Sequence, residues 1–562
     1  MLAGSCSRER APKDAFAEVA KASGVDFVHF NGMSGSRYFA EIMGSGVAAF
    51  DYDNDGRMDL YFAQGTMLGE KPVAQATFPP APGKPLVGRL YHNESVKKAD
   101  GTTELRFVDV TEKSGLISRG YGMGIAVGDY DNDGYPDVLL THFEAPSQLF
   151  HNNGDGTFTD VTARSGVGGT SSWGTSATFF DYDRDGFLDL YVASYVDFRI
   201  ATHKACIGSR GQDDYCSPSA FRPIPGHLFH NRGDGTFEDV SERAGIAKDY
   251  GSGLGVVAAD LDRDGWLDFY VANDGNPNQM WLNGKDGTFR NGAPLAGTAV
   301  NADGAAEAGM GIDIADTSNS GRDDIFISHL TGEKATLFMN DGGGLFHDGS
   351  AAAGVAMPTS RFTGFGAAFL DYDNDGWLDI VIANGAVNVI ESEANAGEKL
   401  PLHQTKQLLR NLGGGKFKDV SAEAGPAFAL SEVGRGLAVA DFDNDGAPDF
   451  AVSNNNGPAR VFRDRAAGDA PWMGLRLLTG KRDAYGAVVE VLRDGAPTLR
   501  RRVHADGSYL SSSDPRVLVG LGTNDRGVSV RVHWPSGKTE DFTGLATRRY
   551  TTIVEGSGKP IQ

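Results

Sequence analysis

No run of 18 or more apolar residues occurs in the 562-residue chain, so no transmembrane helix is expected. Cysteine is scarce: Cys6, Cys206 and Cys216 are the three. No CxxC pair or histidine cluster accompanies them, so zinc is not expected. Positive charge is short as well. Lys and Arg total 52 against 74 Asp and Glu, for a formal charge of −22. That sign argues against a general nucleic-acid binder and against docking on anionic lipid headgroups. Glycine, in contrast, is plentiful at 76 residues, about twice the usual share. It is spread among many short apolar runs, which suggests many turns between short strands. An apolar content of 40 % permits a substantial core, and the length suits one large repeat-built domain plus a smaller one.

Two weak signals point outside the cytoplasm. Cys206 and Cys216 share one polar loop, CIGSRGQDDYC, where a disulfide is expected in an oxidising compartment. Ala3-Gly4-Ser5-Cys6 has the form of the end of a bacterial lipoprotein signal, although no apolar stretch precedes it. It reads equally as an unrelated small-residue start. On the lipoprotein reading Cys6 carries a lipid anchor. The location is then secreted, periplasmic or on the outer surface.

One motif recurs seven times: DYDNDGRMD at Asp51, DYDNDGYPD at Asp129, DYDRDGFLD at Asp181, DLDRDGWLD at Asp260, DTSNSGRDD at Asp316, DYDNDGWLD at Asp371 and DFDNDGAPD at Asp441. The intervals are 78, 52, 79, 56, 55 and 70 residues. The short ones define a unit in the range of propeller blades, and the long ones carry insertions. In D-x-D-x-D-G-x-x-D, side chains at positions one, three, five and nine can converge on one point. Gly at position six permits the sharp turn, and the position-seven carbonyl points inward. Hard oxygen donors in that number suit Ca²⁺.

The expected ligands are Asp51, Asp53, Asp55, Arg57 and Asp59 in loop one, and Asp129, Asp131, Asp133, Tyr135 and Asp137 in loop two. Loop three offers Asp181, Asp183, Asp185, Phe187 and Asp189, and loop four Asp260, Asp262, Asp264, Trp266 and Asp268. Loop six offers Asp371, Asp373, Asp375, Trp377 and Asp379, and loop seven Asp441, Asp443, Asp445, Ala447 and Asp449. In loop five Ser318 and Ser320 replace two aspartates, leaving Asp316, Asp324 and the Arg322 carbonyl; this site is expected to be weakest or empty. The rival reading is a set of Asp/Asn/Gly β-turns. Seven copies in register disfavour it, because six of them pack 24 aspartates whose repulsion needs a counter-ion. Seven divalent ions would bring −22 to about −8, so part of the acidity is site charge.

A glycine-rich strand precedes each loop, as in GSGVAAF, GMGIAVG and GLGVVAA, and an LFHN-like strand and a hairpin follow it. Each unit therefore reads as four short antiparallel strands. The strand after each loop is apolar on both faces, as in Leu60-Tyr61-Phe62, and so is buried on both. Sheets stacked around an axis give that burial, and the expectation is an all-β, seven-bladed β-propeller followed by a small β-sandwich. FAEV at Phe16 matches the fourth-strand element, whereas the seventh unit stops without one after RVFRDR. The N-terminal strand is thus predicted to close the ring beside residues 434–465, removing exposed edges. The expected division is an N-terminal tail over 1–13, the propeller over 14–468 and the sandwich over 469–557.

The D-x-D-x-D-G-x-x-D loops behind G-x-G strands resemble FG-GAP (VCBS-type) repeats, the units of integrin α-chain propellers. DAYGAVVEV, RRRVHADGSYLSSSDPRVLVGLG and VRVHWPSGKTEDF look like the ASPIC/UnbV domain. The two in this order resemble the cartilage acidic protein family, including its bacterial members. The resemblance implies a secreted or surface Ca²⁺-binding protein and says little about ligand or reaction.

One register invites a site. The residue thirteen after each first Asp is Gln64, His142, Ser194, Asn273, His329, Asn384 or Asn454, all polar at the end of an apolar strand. His142, Asn273, His329 and Asn384 would be the candidate members of a polar circle at one propeller face; the rival is strands simply exiting to solvent. His92, His151 and His230 hold a repeat position and read as structural. Arg500, Arg501 and Arg502 read as a solvated strand edge, with contact to the acidic propeller or an anionic ligand as the other option. The Ser-rich SYLSSSDPR lacks a nucleophile setting and reads as turn chemistry. The leading function is a Ca²⁺-stabilised surface binding or adhesion module for a protein or glycan. The alternative is a Ca²⁺-dependent enzyme using the polar circle.

Overall fold

A computed structural model of the chain describes residues 14–561 apart from 82, 100, 169–172, 208–210, 212 and 524–526. The tail carrying Cys6 lies outside the described residues. The described residues form seven four-stranded antiparallel sheets of the repeat type. Sheet one, for example, runs Val47–Phe50, Asp59–Phe62, Arg89–Asn93 and Phe107–Asp109. The glycine-rich first strands neighbour one another in order, and the seventh, Gly434–Ala440, lies beside the first, Val47–Phe50. They therefore line a closed axis, and the chain is a β-propeller.

The two-faced apolar strands explain the stacking. Leu60, Tyr61 and Phe62 are all fully buried. Leu60 and Phe62 pack with Ala438, Ala451 and Val461 of sheet seven, whereas Tyr61 packs with Ile125 and Val127 of sheet two. Alternation along the strand thus supplies both neighbours. The G-x-G signature is steric at the axis. A Cβ on Gly311 would lie 1.9 Å from the Phe365 carbonyl oxygen, and one on Gly124 would lie 2.4 Å from that of Thr175.

The ring closes as the sequence phase predicts. Phe16–Glu18 pairs antiparallel with Arg460–Asp464, with Phe16 opposite Asp464 and Glu18 opposite Phe462. Phe16 then packs against Phe450, 5.1 Å between ring centroids. Cys206 and Cys216 form a disulfide that clips the hairpin Cys206–Ile207/Asp213–Asp214 in the insertion of sheet three.

Two further sheets form the C-terminal sandwich. One pairs Trp472–Thr479 with Val517–Gly520, Arg482–Asp483 and, in parallel, Tyr550–Val554. The other contains Leu499–Arg502, Val488–Leu492, Ser529–His533, Thr539–Thr543 and Lys559–Pro560. Met473, Leu475, Val489, Val530 and Val532 share the core between them.

The sandwich also sends a segment down the propeller axis. Ser508 and Ile312 exchange main-chain hydrogen bonds, the Leu510 carbonyl accepts from Ile125, and Ser512 pairs with Val47 and Ala49. The Asp506 carboxylate accepts from Ala258 N and Thr178 Oγ1. Val439 N donates to Ser513 Oγ, and the Tyr509 ring packs on Phe365. Residues 506–513 therefore engage the first strands of all seven sheets. From the opposite end comes a 3-10 turn, Phe39–Ile42, and the two meet where Tyr509 Oη donates to the Met43 carbonyl at 3.1 Å. The buried Arg435 fixes that junction, donating to the Ile42, Gly385 and Ala386 carbonyls with its guanidinium 3.9 Å from the Phe365 centroid. The axis is thus filled from both ends.

Candidate metal loops and the surface that covers them

Each Asp motif forms the turn between the first and second strands of its sheet. In loop one, Asp51 Oδ1 accepts from Asp55 N and Oδ2 from Gly56 N, both at 2.9 Å. Asp59 Oδ2 accepts from Tyr52 N at 3.1 Å and Oδ1 from Asn93 N at 2.7 Å. Position four takes a left-handed backbone in every loop, from φ 51° at Asn319 to φ 64° at Arg263. These bonds bring Asp51, Asp53 and Asp55 oxygens within 4.8 Å of one another, as they do Asp129, Asp131 and Asp137.

Burial makes the loops electrostatically costly. Desolvation pushes Asp51 up to about 6, Asp59 to about 7, Asp137 to about 8 and Asp441 to about 8. Asp268, Asp371, Asp379 and Asp449 are raised well above the ordinary carboxylate range for the same reason. Several oxygens also lack any hydrogen-bond partner: Oδ1 of Asp181, Asp260, Asp371, Asp373 and Asp443. Buried, orphaned, converging carboxylate oxygens are the chemistry of a hard-cation site, so the residues present fit Ca²⁺. Loop five is the exception. Thr317 Oγ1 donates to Asp324 Oδ2 at 2.5 Å, and Ser318 and Ser320 bring no charge.

A second set of groups stands over the loops from the third strands. His92 Nδ1 lies 3.1 Å from Asp59 Oδ1 and 3.6 Å from Asp53 Oδ2. His151 and His230 repeat this over loops two and three. In loops six and seven an arginine takes the place: Arg410 lies 2.6 Å from Asp373, and Arg463 pairs with Asp443. The repeat position was visible in the sequence, but its reach over the loop was not.

The loops are also joined to each other. Asn54 Nδ2 donates to the Gly134 carbonyl of loop two, Asn132 to Gly186, Asn319 to Gly376, Asn374 to Gly446 and Asn444 back to Gly56. Arg184 does the same toward Gly265. Five of the seven position-four residues are Asn, a regularity open to view in the sequence whose purpose only the ring reveals.

The sandwich docks on this ring through basic side chains. Arg482 lies 3.4 Å from Asp181 and donates to Gly186, and Arg476 lies 3.9 Å from Asp51. Arg516 donates to the Asp441 carbonyl, and Tyr550 Oη to Asp441 Oδ2. Arg500, Arg501 and Arg502 are not the solvated edge expected. Arg500 pairs with Asp323 at 3.0 Å, Arg501 donates to the Gly376 carbonyl, and Arg502 donates to the Ala258 and Ile314 carbonyls. Their strand faces the propeller, so its charges are used there. SYLSSSDPR likewise proves to be the axial segment and not an isolated turn.

The polar register lies at the far end and does not face solvent. Gln64, His142, Ser194, Asn273, His329, Asn384 and Asn454 are all buried. Asn273 donates to the Pro277 carbonyl, Asn384 to that of Thr405 and Asn454 to that of Pro458. Gln64 bonds Phe30 and Val28, and His329 Nε2 contacts Thr336 Oγ1. The three asparagines thus tie the turns between second and third strands, and Gln64 ties the N-terminal segment. The strands do not exit to solvent there, because the inserted segments cover that end.

Together the sheets, the ring of Asp loops and the docked sandwich define a class: a propeller of acidic-loop repeats capped by a β-sandwich. Residues 129–192, 211–271, 260–327 and 316–382 match the FG-GAP-like repeat, and residues 478–560 match the ASPIC and UnbV domain. The chain therefore carries FG-GAP-like repeats followed by an ASPIC and UnbV domain, and its overall order is similar to that of cartilage acidic protein 1. Human cartilage acidic protein 1 is 27 % identical over 441 residues, covering 75 % of this chain and 61 % of the relative. The Xenopus tropicalis protein of that name is 25 % identical over 442 residues, covering 75 % and 62 %. The chain thus spans about three fifths of the length of these relatives. Among solved structures, an Agrocybe aegerita lectin that recognises non-reducing terminal N-acetylglucosamine gives a TM-score of 0.35 at 18 % identity, covering 61 % of this chain and 81 % of its own. The BP39L lectin of Burkholderia pseudomallei gives 0.41 at 10 % identity, covering 76 % and 98 %. At such scores neither likeness bears on the ligand.

Proposed function

We propose that the chain is an extracytoplasmic, calcium-stabilised binding module for a protein or glycan, with a propeller over 14–468 and a sandwich over 469–557. The observation that carries the calcium reading is the set of buried, partnerless carboxylate oxygens converging in the loops, Asp371 Oδ1 and Asp373 Oδ1 among them. Up to seven ions would be held, the one at Asp316 and Asp324 most weakly. When bound, the ion supplies the positive charge that lets the buried aspartates stay ionised. The chain's own residues do the positioning: Gly at position six turns the loop, and main-chain amides orient the first aspartate. The Cys206–Cys216 disulfide supports the extracytoplasmic location. No helix among the described residues is long and apolar enough to cross a membrane. Binding is favoured over catalysis because the polar register lies buried at the end covered by inserted segments, with Asn273, Asn384 and Asn454 donating to turn carbonyls.

Calorimetric titration of metal-stripped protein with Ca²⁺ tests the first half. The expected outcome is binding at several sites and a melting temperature that falls with chelator and recovers with Ca²⁺, since a ligand of the folded state stabilises it. An unchanged melt would remove the structural role of calcium.

A further inference from the structure

We infer that the cleft between the sandwich and Asp loops three and four binds a short anionic saccharide, gripped by Arg184 and Arg263. This rests on the reading of the chain as a binding module and names the ligand class. The starting point is a departure from the repeat. Position four is Asn in five loops but Arg184 in loop three and Arg263 in loop four. Arg184 still reaches the next loop, at the Gly265 carbonyl. Arg263 holds the same left-handed turn, φ 64°, yet makes no hydrogen bond among the described residues and acts on Asp323 only through space. The other clasp is missing at this junction too. Asn152, Asn231 and Asn283 donate to the position-two carbonyl of the preceding loop, at Tyr52, Tyr130 and Tyr182. Asn340 donates instead to Asp323 within its own sheet. The ring therefore does not need an arginine at 263.

Both arginines line an open cleft of about 270 Å³ together with Arg500, His533 and Lys538. The other cations there are matched: Arg500 by Asp323, Lys538 by Glu555 and His533 by Glu490. Arg184 and Arg263 make no salt bridge among the described residues; Arg263 feels the Asp323 carboxylate, but that group is already bonded to Arg500. Of the acidic groups in the lining, Glu490 is paired with His533, Asp181 with Arg482, and Asp260 belongs to the ion set proposed for loop four. Two guanidiniums outside any salt bridge are unusual on a chain of formal charge −22, and the planar fork suits a carboxylate or sulfate. Apolar surface adjoins them: the half-buried Trp266 ring lies 4.2 Å from the Arg184 guanidinium, and Pro535 forms part of the wall. Apolar faces beside anion forks suit a sugar ring carrying the charge. The acidity of the whole chain opposes long polyanions, so the fitting ligand is short.

The test is calorimetric titration of the full chain in millimolar Ca²⁺ with oligogalacturonate, a short heparin oligosaccharide and a neutral cello-oligosaccharide. The double variant Arg184→Asn, Arg263→Asn restores the residue the other loops use, so it is expected to fold with an unchanged melt. Wild type should bind the carboxylated or the sulfated oligosaccharide, and the variant should bind it roughly tenfold or more weakly. If the neutral sugar binds equally to both proteins, the binding-module reading stands and the anionic assignment falls. If neither anionic probe binds wild type, or the variant binds as tightly, the assignment is overturned. The calcium titration is read separately, so loss of the ion sites cannot be mistaken for loss of this cleft.

Discussion

His142 stands where three other sheets place Asn273, Asn384 and Asn454, and it is fully buried. Burial holds its pKa down to about 4, and that of His29 to about 3. An unfolded chain's histidine titrates near 6.5. A folded value below the unfolded one means the stability is whole above about 6.5 and is lost as pH falls toward about 4. We expect the calcium-loaded protein to lose melting temperature across that window. For His142 alone the loss is roughly 3 kcal/mol at the acid end. His142→Asn should keep the fold, with its amide in the role of Asn273, and should flatten the slope. Melts at pH 7, 6 and 5 on both proteins check this, and equal slopes would clear His142 of the effect. At this scale the sequence was informative about the aspartates and misleading about the polar register. The aspartates announce themselves by spacing. Polarity at a strand end does not reveal whether an insertion covers it.

At the scale of the element, the four-stranded unit was legible because two periodicities coincide: apolar residues on both faces of the second strand, and a turn motif before it. The closing strand was legible from phase alone, since Phe16-Ala17-Glu18 matches Phe158-Thr159-Asp160. The axial segment was not, because 506–513 has no repeat to compare with and its partners come from seven separate sheets. Its fit is tight. A Cβ on Gly46 would sit 1.6 Å from the Leu510 carbonyl oxygen, backbone against backbone. Gly46→Ala should therefore cost about 1–3 kcal/mol, as overpacking does. Urea unfolding measures it, and a midpoint equal to wild type would show that the segment is not seated as described. Gly366, where the added Cβ would meet the Arg435 carbonyl oxygen at 2.6 Å, offers a second site of the same kind away from the segment.

For the molecule as a whole, propeller and sandwich are one stability unit. Residues 506–513 satisfy inward-facing amides such as Ile125 N and Ile312 N, and the sandwich's arginines answer the acidic ring. Removing residues 469–562 would leave each such amide unpaired, at about 1 kcal/mol or more apiece. The shortened chain is expected to melt at a lower temperature and to bind a hydrophobic dye, and an unchanged melt would show the propeller to be self-sufficient. A propeller followed by a sandwich was foreseeable from motif order; the docking was not, because acid on one surface and base on another do not declare their pairing in a linear text. The shared sheet carries one more consequence, in time. Phe16–Glu18 is made early, but its partner Arg460–Asp464 is made about 440 residues later. At ordinary rates of synthesis that is a wait of roughly 20 to 90 s. Throughout it the first strand has no sheet to join, and only after its partner emerges can the circle of sheets shut around the segment that fills it.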